Sequence, residues 1–218
     1  MYECKYNYFR LMTVTQKVRQ RAVQQRAEET QEAILLAAVE LFTTQGFDGI
    51  SIKAIEQASG TKRGLVTYHF GDKEQLWRLV ADHVFAQLSQ LSSEDTAVIR
   101  SLAVEAQVRA HLTHFIIQSA RHPEVSRLII QEGKASTWRL EYLVDTHIRP
   151  RLEMLSGLMD RPLDAHTLYM FLGAATLVFD VEAEVERMFG FNPRQDDFVT
   201  EHAKRVCDLF IPTLLNSS

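Results

Sequence analysis

Residues 52–70 place a short apolar helix, a glycine turn and a second short helix crowded with cations and aromatics back to back, which narrows the fold more than any other stretch. Ile52, Ile55 and Ala58 recur at i, i+3 and i+6, one face of a helix. Gly60 can take the left-handed geometry that ends it. The spacing predicts a second helix from near Thr61 or Lys62, with Leu65 and Val66 turned inward. Two short helices joined by a tight glycine turn form the helix-turn-helix layout, whose second helix enters a major groove. Lys62, Arg63, Gly64, Thr67, Tyr68, His69 and Lys73 are then the candidates for phosphate and base contact. Ser51 is placed to cap the first of the two helices, and its hydroxyl and N–H can also meet a phosphate. A solvated turn between two core helices is the plainer alternative, but the density of glycine, cations and aromatics favours the helix-turn-helix.

Beyond this stretch, apolar residues recur with a 3.6-residue period and the alternation of a half-buried strand is missing, so the expected class is all-α. A formal net charge of −4 is unusual for a protein that meets phosphates, but it is unevenly spread. Residues 1–90 hold 11 Lys and Arg against 10 Asp and Glu, about +1, and the remainder holds 13 against 18, about −5. An acidic bulk does not prevent local phosphate binding. Cys4 and Cys207 give neither a disulfide framework nor a CxxC metal spacing, which fits a reducing cytoplasm. No stretch offers about 18 uninterrupted apolar residues, so no spanning helix and no membrane partner are expected.

Residues 1–27 read as a basic, flexible arm with Lys17, Arg19, Arg21 and Arg26. It either adds phosphate contacts or is a solvated tail without a role. The first firm helix is expected over 28–45, with Ile34, Ala37, Ala38, Leu41 and Phe42 on one stripe and Gly46 at its end. Asp72 is placed to cap a fourth helix that carries Leu76, Trp77, Val80, Val84, Phe85 and Leu88. A polar break at 92–95 precedes helices expected over 96–121, 123–133, 136–159, 164–189 and 193–214. Pro123 and Pro193 suit first helical positions, and Asn192 suits the cap of the last helix.

From Ile34 through Leu41-Phe42, Gly46-Phe47, Ser51-Ile52, Ile55, Gly60, Gly64, Tyr68-His69-Phe70, Lys73-Glu74 and Leu76, the sequence resembles the TetR family of bacterial transcriptional regulators. Thr61-Lys62 stands where that family usually has Val-Ser, Val66-Thr67 where it often has Leu-Tyr, Ile50 for a common Thr and Glu56 for a common Ala. The resemblance implies a three-helix helix-turn-helix DNA-binding domain over 28–74, then a helical effector-binding and dimerisation domain over 75–218. It implies a ligand-responsive regulator, a repressor, that binds a palindromic double-stranded operator as a homodimer through its last two long helices. Small residues at 173–175 are expected to permit close helix approach in that dimer. A small, largely apolar effector is expected among His111, His114, Phe115, Gln118, Trp138, Tyr142, Tyr169 and Phe171, an aromatic set with a few polar groups. His111 and His114 lack a companion Cys or carboxylate pair at helical spacing, so neither a metal nor a cofactor is expected. The competing reading is an all-α enzyme or small-molecule carrier without specific DNA binding. Against an enzyme, the sequence has no nucleophile elbow, no HExxH and no repeated Glu-x-x-His pair.

Overall fold

The computed structural model describes residues 3–88 and 91–216. Among the described residues the chain is all-α. The first helix, α1 (Glu3–Gln45), starts well before the residue 28 expected from periodicity and runs through the segment read as an arm. Neither glycine nor proline occurs before Gly46, so nothing local stops the helix earlier. Gly46 ends it in the left-handed region (φ 76°), its N–H donating to the Phe42 carbonyl at 3.1 Å. Ile34, Ala38 and Phe42, each fully buried, form the inward stripe.

Next come α2 (Ile52–Ala58), α3 (Leu65–Phe70) and α4 (Lys73–Gln87). The Ser51 hydroxyl accepts from the Ala54 N–H at 3.1 Å, and Asp72 accepts from the Gln75 N–H at 2.8 Å, as the capping pattern requires. The body comprises α5 (Ser93–Arg100), α6 (Val104–Arg121), α7 (Pro123–Glu132), α8 (Trp138–Leu143), α9 (Arg149–Leu158), α10 (Ala165–Asp180), α11 (Glu182–Phe189) and α12 (Asp196–Asn216).

Three of the expected helices are divided. The one expected over 96–121 is broken at residues 101–103, where the Gln107 amide donates to the Leu102 carbonyl at 2.8 Å. Between α8 and α9 lies a π turn, Val144–Ile148, directly ahead of Pro150. A proline ring clashes with the carbonyl four residues back in a regular helix, and the wider π turn relieves that clash without ending the rod. The helix expected over 164–189 stops at Asp180 because Arg194 reaches in from outside. Its guanidinium donates to the carbonyls of Ala120 and Phe179, the latter at 2.6 Å, near the ends of α6 and α10. One cation thus satisfies carbonyls that two helix termini leave free. The last helix begins at Asp196 rather than Pro193, because the Asn192 side-chain Oδ1 accepts from the Arg194 N–H at 2.7 Å and closes a turn.

The buried residues form two clusters. One joins α1 to α4 with Val125, Leu128 and Leu143 from α7 and α8; the other joins α6, α10 and α12. α4 therefore shares its core with the body as well as with the helices ahead of it.

Candidate nucleic-acid interface

α3 has only six residues, too few to be stable alone. It is held by the fully buried Val66, with Leu65 and Phe70 partly buried against the same cluster. Gly60 (φ 66°) and Gly64 (φ 90°) bound the turn, conformations that other residues rarely adopt. Glu56 ties the turn together. It is 5% exposed, its carboxylate accepts the Gly64 N–H at 2.5 Å and its backbone carbonyl accepts the Thr61 N–H at 3.0 Å. Sequence reasoning noted Glu56 only as a departure from the family pattern; nothing in the spacing reveals a bond across eight residues.

The helix begins at Leu65, later than the Thr61 or Lys62 expected, because Gly64 is its left-handed first cap. Lys62, Arg63 and Gly64 therefore stand in the turn, exposed, ahead of the helix. Thr67 and Tyr68 are displayed on its outer face, Tyr68 81% exposed. His69 is half-buried, its Nδ1 3.3 Å from the Gln31 amide of α1, which binds the reading helix to the first helix. Ser51 is exposed at the start of α2. Lys73 differs from the other cations: its ammonium sits 4.1 Å over the Phe47 ring, and burial pulls its pKa down while the Asp48 carboxylate pulls it up.

The candidate effector residues fall into separate places. Trp138 and Tyr142 pack on α4, the Trp138 ring 5.2 Å from Trp77 and the Arg78 guanidinium 4.6 Å from Trp138 and 4.7 Å from Tyr142. Phe171 lies in the second cluster, 5.9 Å from Phe115 and 5.6 Å from Phe210. Phe115 touches both clusters. His111, His114 and Gln118 are half-buried along α6, with the His114 Nε2 3.2 Å from the Leu88 carbonyl. Burial lowers the pKa of both histidines, and the charge of His114 lowers His111 further. Tyr169 is 71% exposed on the outer face of α10, whereas Phe171 on the same helix is 6% exposed.

The structure adds a node that periodicity concealed. Asp82 of α4 accepts from the Tyr142 hydroxyl and pairs with the His147 Nε2, each at 2.8 Å. The His147 ring stacks on Phe85 with centroids 4.6 Å apart, and Arg151 donates to the Phe85 carbonyl at 3.0 Å. The π turn thereby grips α4 near its end.

A helix-turn-helix of this geometry, joined through a shared helix to a helical body, defines the class of helix-turn-helix DNA-binding proteins. Residues 34–80 match the family described as bacterial regulatory proteins, tetR family. The chain is 33% identical over 110 residues to the HTH-type transcriptional repressor NicS of Pseudomonas putida, covering 50% of each. It is 26% identical over 164 residues to the repressor AcnR of Corynebacterium jeikeium, covering 73% of this chain and 82% of that one. It spans half the length of NicS and 37% of AcnR from Corynebacterium glutamicum. Among solved structures, a HlyIIR mutant protein superposes with a TM-score of 0.61 at 21% identity, covering 88% of this chain and 100% of that one. A TetR-like transcriptional regulator from Rhodococcus sp. RHA1 gives 0.59 at 18%, covering 86% and 97%. A domain of the tetR family of bacterial regulatory proteins thus occupies residues 34–80.

Proposed function

We propose that this protein is a ligand-responsive transcriptional repressor that binds a palindromic operator as a homodimer and is released by a small, largely apolar effector. The observation that carries the reading is the exposed outer face of α3, Thr67 and Tyr68, with Lys62 and Arg63 in the turn before it and only Val66 fully buried behind. Such a face reads base edges while flanking cations hold the phosphates. Ser51, Lys62, Arg63, Gly64, Thr67, Tyr68, His69 and Lys73 form the proposed DNA surface. The names of NicS and AcnR support repression over activation. The same names support a regulator rather than an enzyme, and a repressor that meets operator DNA works in the cytoplasm. No described helix is long and apolar enough to cross a membrane.

A two-fold dimer doubles the number of bases read. The proposed interface lies on α10 and α12, where Tyr169, Met170 and Leu177 are exposed at helical spacing and Leu209 is 68% exposed. Ala175, expected at the close contact between subunits, is instead fully buried in the subunit's own core beside α6 and α12. The effector is proposed to lie near Phe115, where the two clusters meet.

Retention of mixed genomic fragments by the purified protein tests the reading. Discrete enriched fragments support a sequence-specific regulator. Indiscriminate retention, or none, overturns it.

A further inference from the structure

α1 leaves the body at its C-terminal end and passes the reading helix with most of its length still ahead. Its C-terminal end lies against α7, where a Cβ at Gly46 would meet the Gln131 amide nitrogen at 2.5 Å. Further back, Gln31 stands 3.3 Å from the His69 ring near the end of α3. From Gln31 to its first residue, Glu3, the helix continues for about 40 Å at 1.5 Å per residue. That length lies beyond the reading helix as seen from the body, toward the space that a duplex docked on α3 would fill. Its composition is one-sided. From Cys4 to Ala27 the sequence holds Lys5, Arg10, Lys17, Arg19, Arg21 and Arg26 and neither Asp nor Glu. Six of the chain's 24 Lys and Arg stand here, although the formal net charge of the whole chain is −4. Arg21 and Arg26 are exposed. The nearest carboxylates in sequence after them, Glu28 and Glu29, accept instead from the amides of Gln24 and Gln25, each at 3.0 Å. Like charges spaced along one helix repel one another, and a polyanion relieves that repulsion.

We propose that the N-terminal part of α1 is a second DNA-binding element, a basic rod that lies along the duplex beside the half-site and holds its phosphates through Arg21 and Arg26. This rests on the reading of α3 as the DNA-reading helix. Along α1, Arg26 lies about 8 Å and Arg21 about 15 Å from Gln31, less than half of the roughly 34 Å turn of a duplex. Both therefore reach phosphates next to those beside α3. The two arginines stand about 140° apart around the helix at 3.6 residues per turn, so they flank the rod and meet phosphates on either side of it. Such contacts carry no sequence information; they add affinity and fix the register of α3 on the bases. A continuous helix holds the cations in place before binding, so less freedom is lost than in ordering a flexible tail.

The test is the salt dependence of binding between the full-length protein and a mixed-sequence duplex, followed by fluorescence anisotropy. Arg21→Gln combined with Arg26→Gln keeps good helix formers at both positions. Each phosphate contact contributes about 0.9 to the slope of log K against log salt, so this double variant should lose about 2 from the slope. Between about 50 and 200 mM salt the unsubstituted protein then loses about tenfold more affinity than the variant. Arg100→Gln combined with Arg187→Gln, at exposed positions of α5 and α11, removes the same net charge and should leave the slope unchanged. Val23→Pro, at a position 60% exposed, breaks the rod between Arg21 and Arg26 and should cost one contact, about 1 in slope. An unchanged slope in the α1 arginine variant, or an equal loss in the body variant, overturns the assignment and leaves α3 as the reading helix. A full slope in Val23→Pro makes the segment a flexible tail and overturns the rod. A protein that binds no duplex at all refutes the regulator reading, and this assignment with it.

Discussion

Replacing Asp82 by Asn tests the grip between body and α4. The Asp82 carboxylate receives two bonds of 2.8 Å, from the Tyr142 hydroxyl and the His147 ring. A buried bond to a charged group contributes about 1.5–3 kcal/mol. Asp82, however, is 45% exposed in its side chain, and screening brings each bond toward about 0.5–1 kcal/mol. The combined loss is therefore about 1–2 kcal/mol, and in a protein of this size each kcal/mol lowers the melting midpoint by about 2–4 °C. A second, independent signal comes from Tyr142. Its pKa is pushed up to about 12, first by burial, then by the bond to Asp82 and the charge of that carboxylate. A raised folded pKa means stability that is fully present below pH 10.0 and lost as pH climbs toward about 12. Asp82→Asn removes the carboxylate's charge and weakens the bond from the Tyr142 hydroxyl but leaves the first cause, so the Tyr142 midpoint should fall yet stay above 10.0. Calorimetry and the tyrosinate absorbance difference against Tyr142→Phe measure both effects. An unchanged melting midpoint together with an unchanged tyrosinate titration refutes the reasoning, because the two bonds would then carry no energy.

Glu56→Ala leaves the Gly64 N–H at the start of α3 without its acceptor and should cost about 1–3 kcal/mol, read as a lower midpoint in calorimetry. Leu177→Arg, at a position 58% exposed in the subunit, should leave the fold intact and shift sedimentation from dimer to monomer, with operator binding lost. Ala175→Arg should instead unfold the subunit, since Ala175 is fully buried and an unpaired charge there is costly. His111, His114, His147 and His202 all have pKa values lowered by burial below 6.5. Their stabilising contribution is therefore complete above pH 6.5 and lost as pH falls through the folded values; a melting midpoint that stays flat into acid would contradict this.

What could be read from the sequence was what is local. The caps at Ser51 and Asp72, the glycine turn at Gly60 and the stripe of Ile34, Ala38 and Phe42 depend on residues within a turn or two of each other. Leu65 and Val66 were legible as the inward side of α3, although Gly64 delayed its start. The misread boundaries have distant causes. Arg194 ends α10 and braces α6 from 15 and 74 residues away, and no window of periodicity contains it. The proposed effector residues lie apart from one another for a different reason. Helical spacing reports that Trp138, Tyr142 and Tyr169 lie on apolar faces, but not what those faces meet. Trp138 and Tyr142 turn out to pack on Trp77 and Arg78, whereas Tyr169 faces outward.

This distribution bears on how a ligand could act at a distance. α4 is capped by Asp72, two residues beyond the end of α3, and its far end is held by Asp82, Phe85 and the π turn. Leu76, Trp77, Val80 and Val84 are fully buried between, so the helix cannot flex piecemeal; a shift at one end must appear at the other. The π turn is the one part of the α8–α9 rod with an irregular ladder, next to a proline that already prevents a regular one. In the proposed dimer the two heads must match half-sites about 34–36 Å apart, or a multiple. A small tilt of each α4 then spoils simultaneous docking without any ligand touching DNA. Such a ligand works only through its preference for the off-register form, since equal affinity for both forms shifts nothing. Reciprocity follows: operator DNA must weaken ligand binding by the same factor that ligand weakens DNA binding, and Asp82→Asn, by loosening the shared helix, must diminish both together.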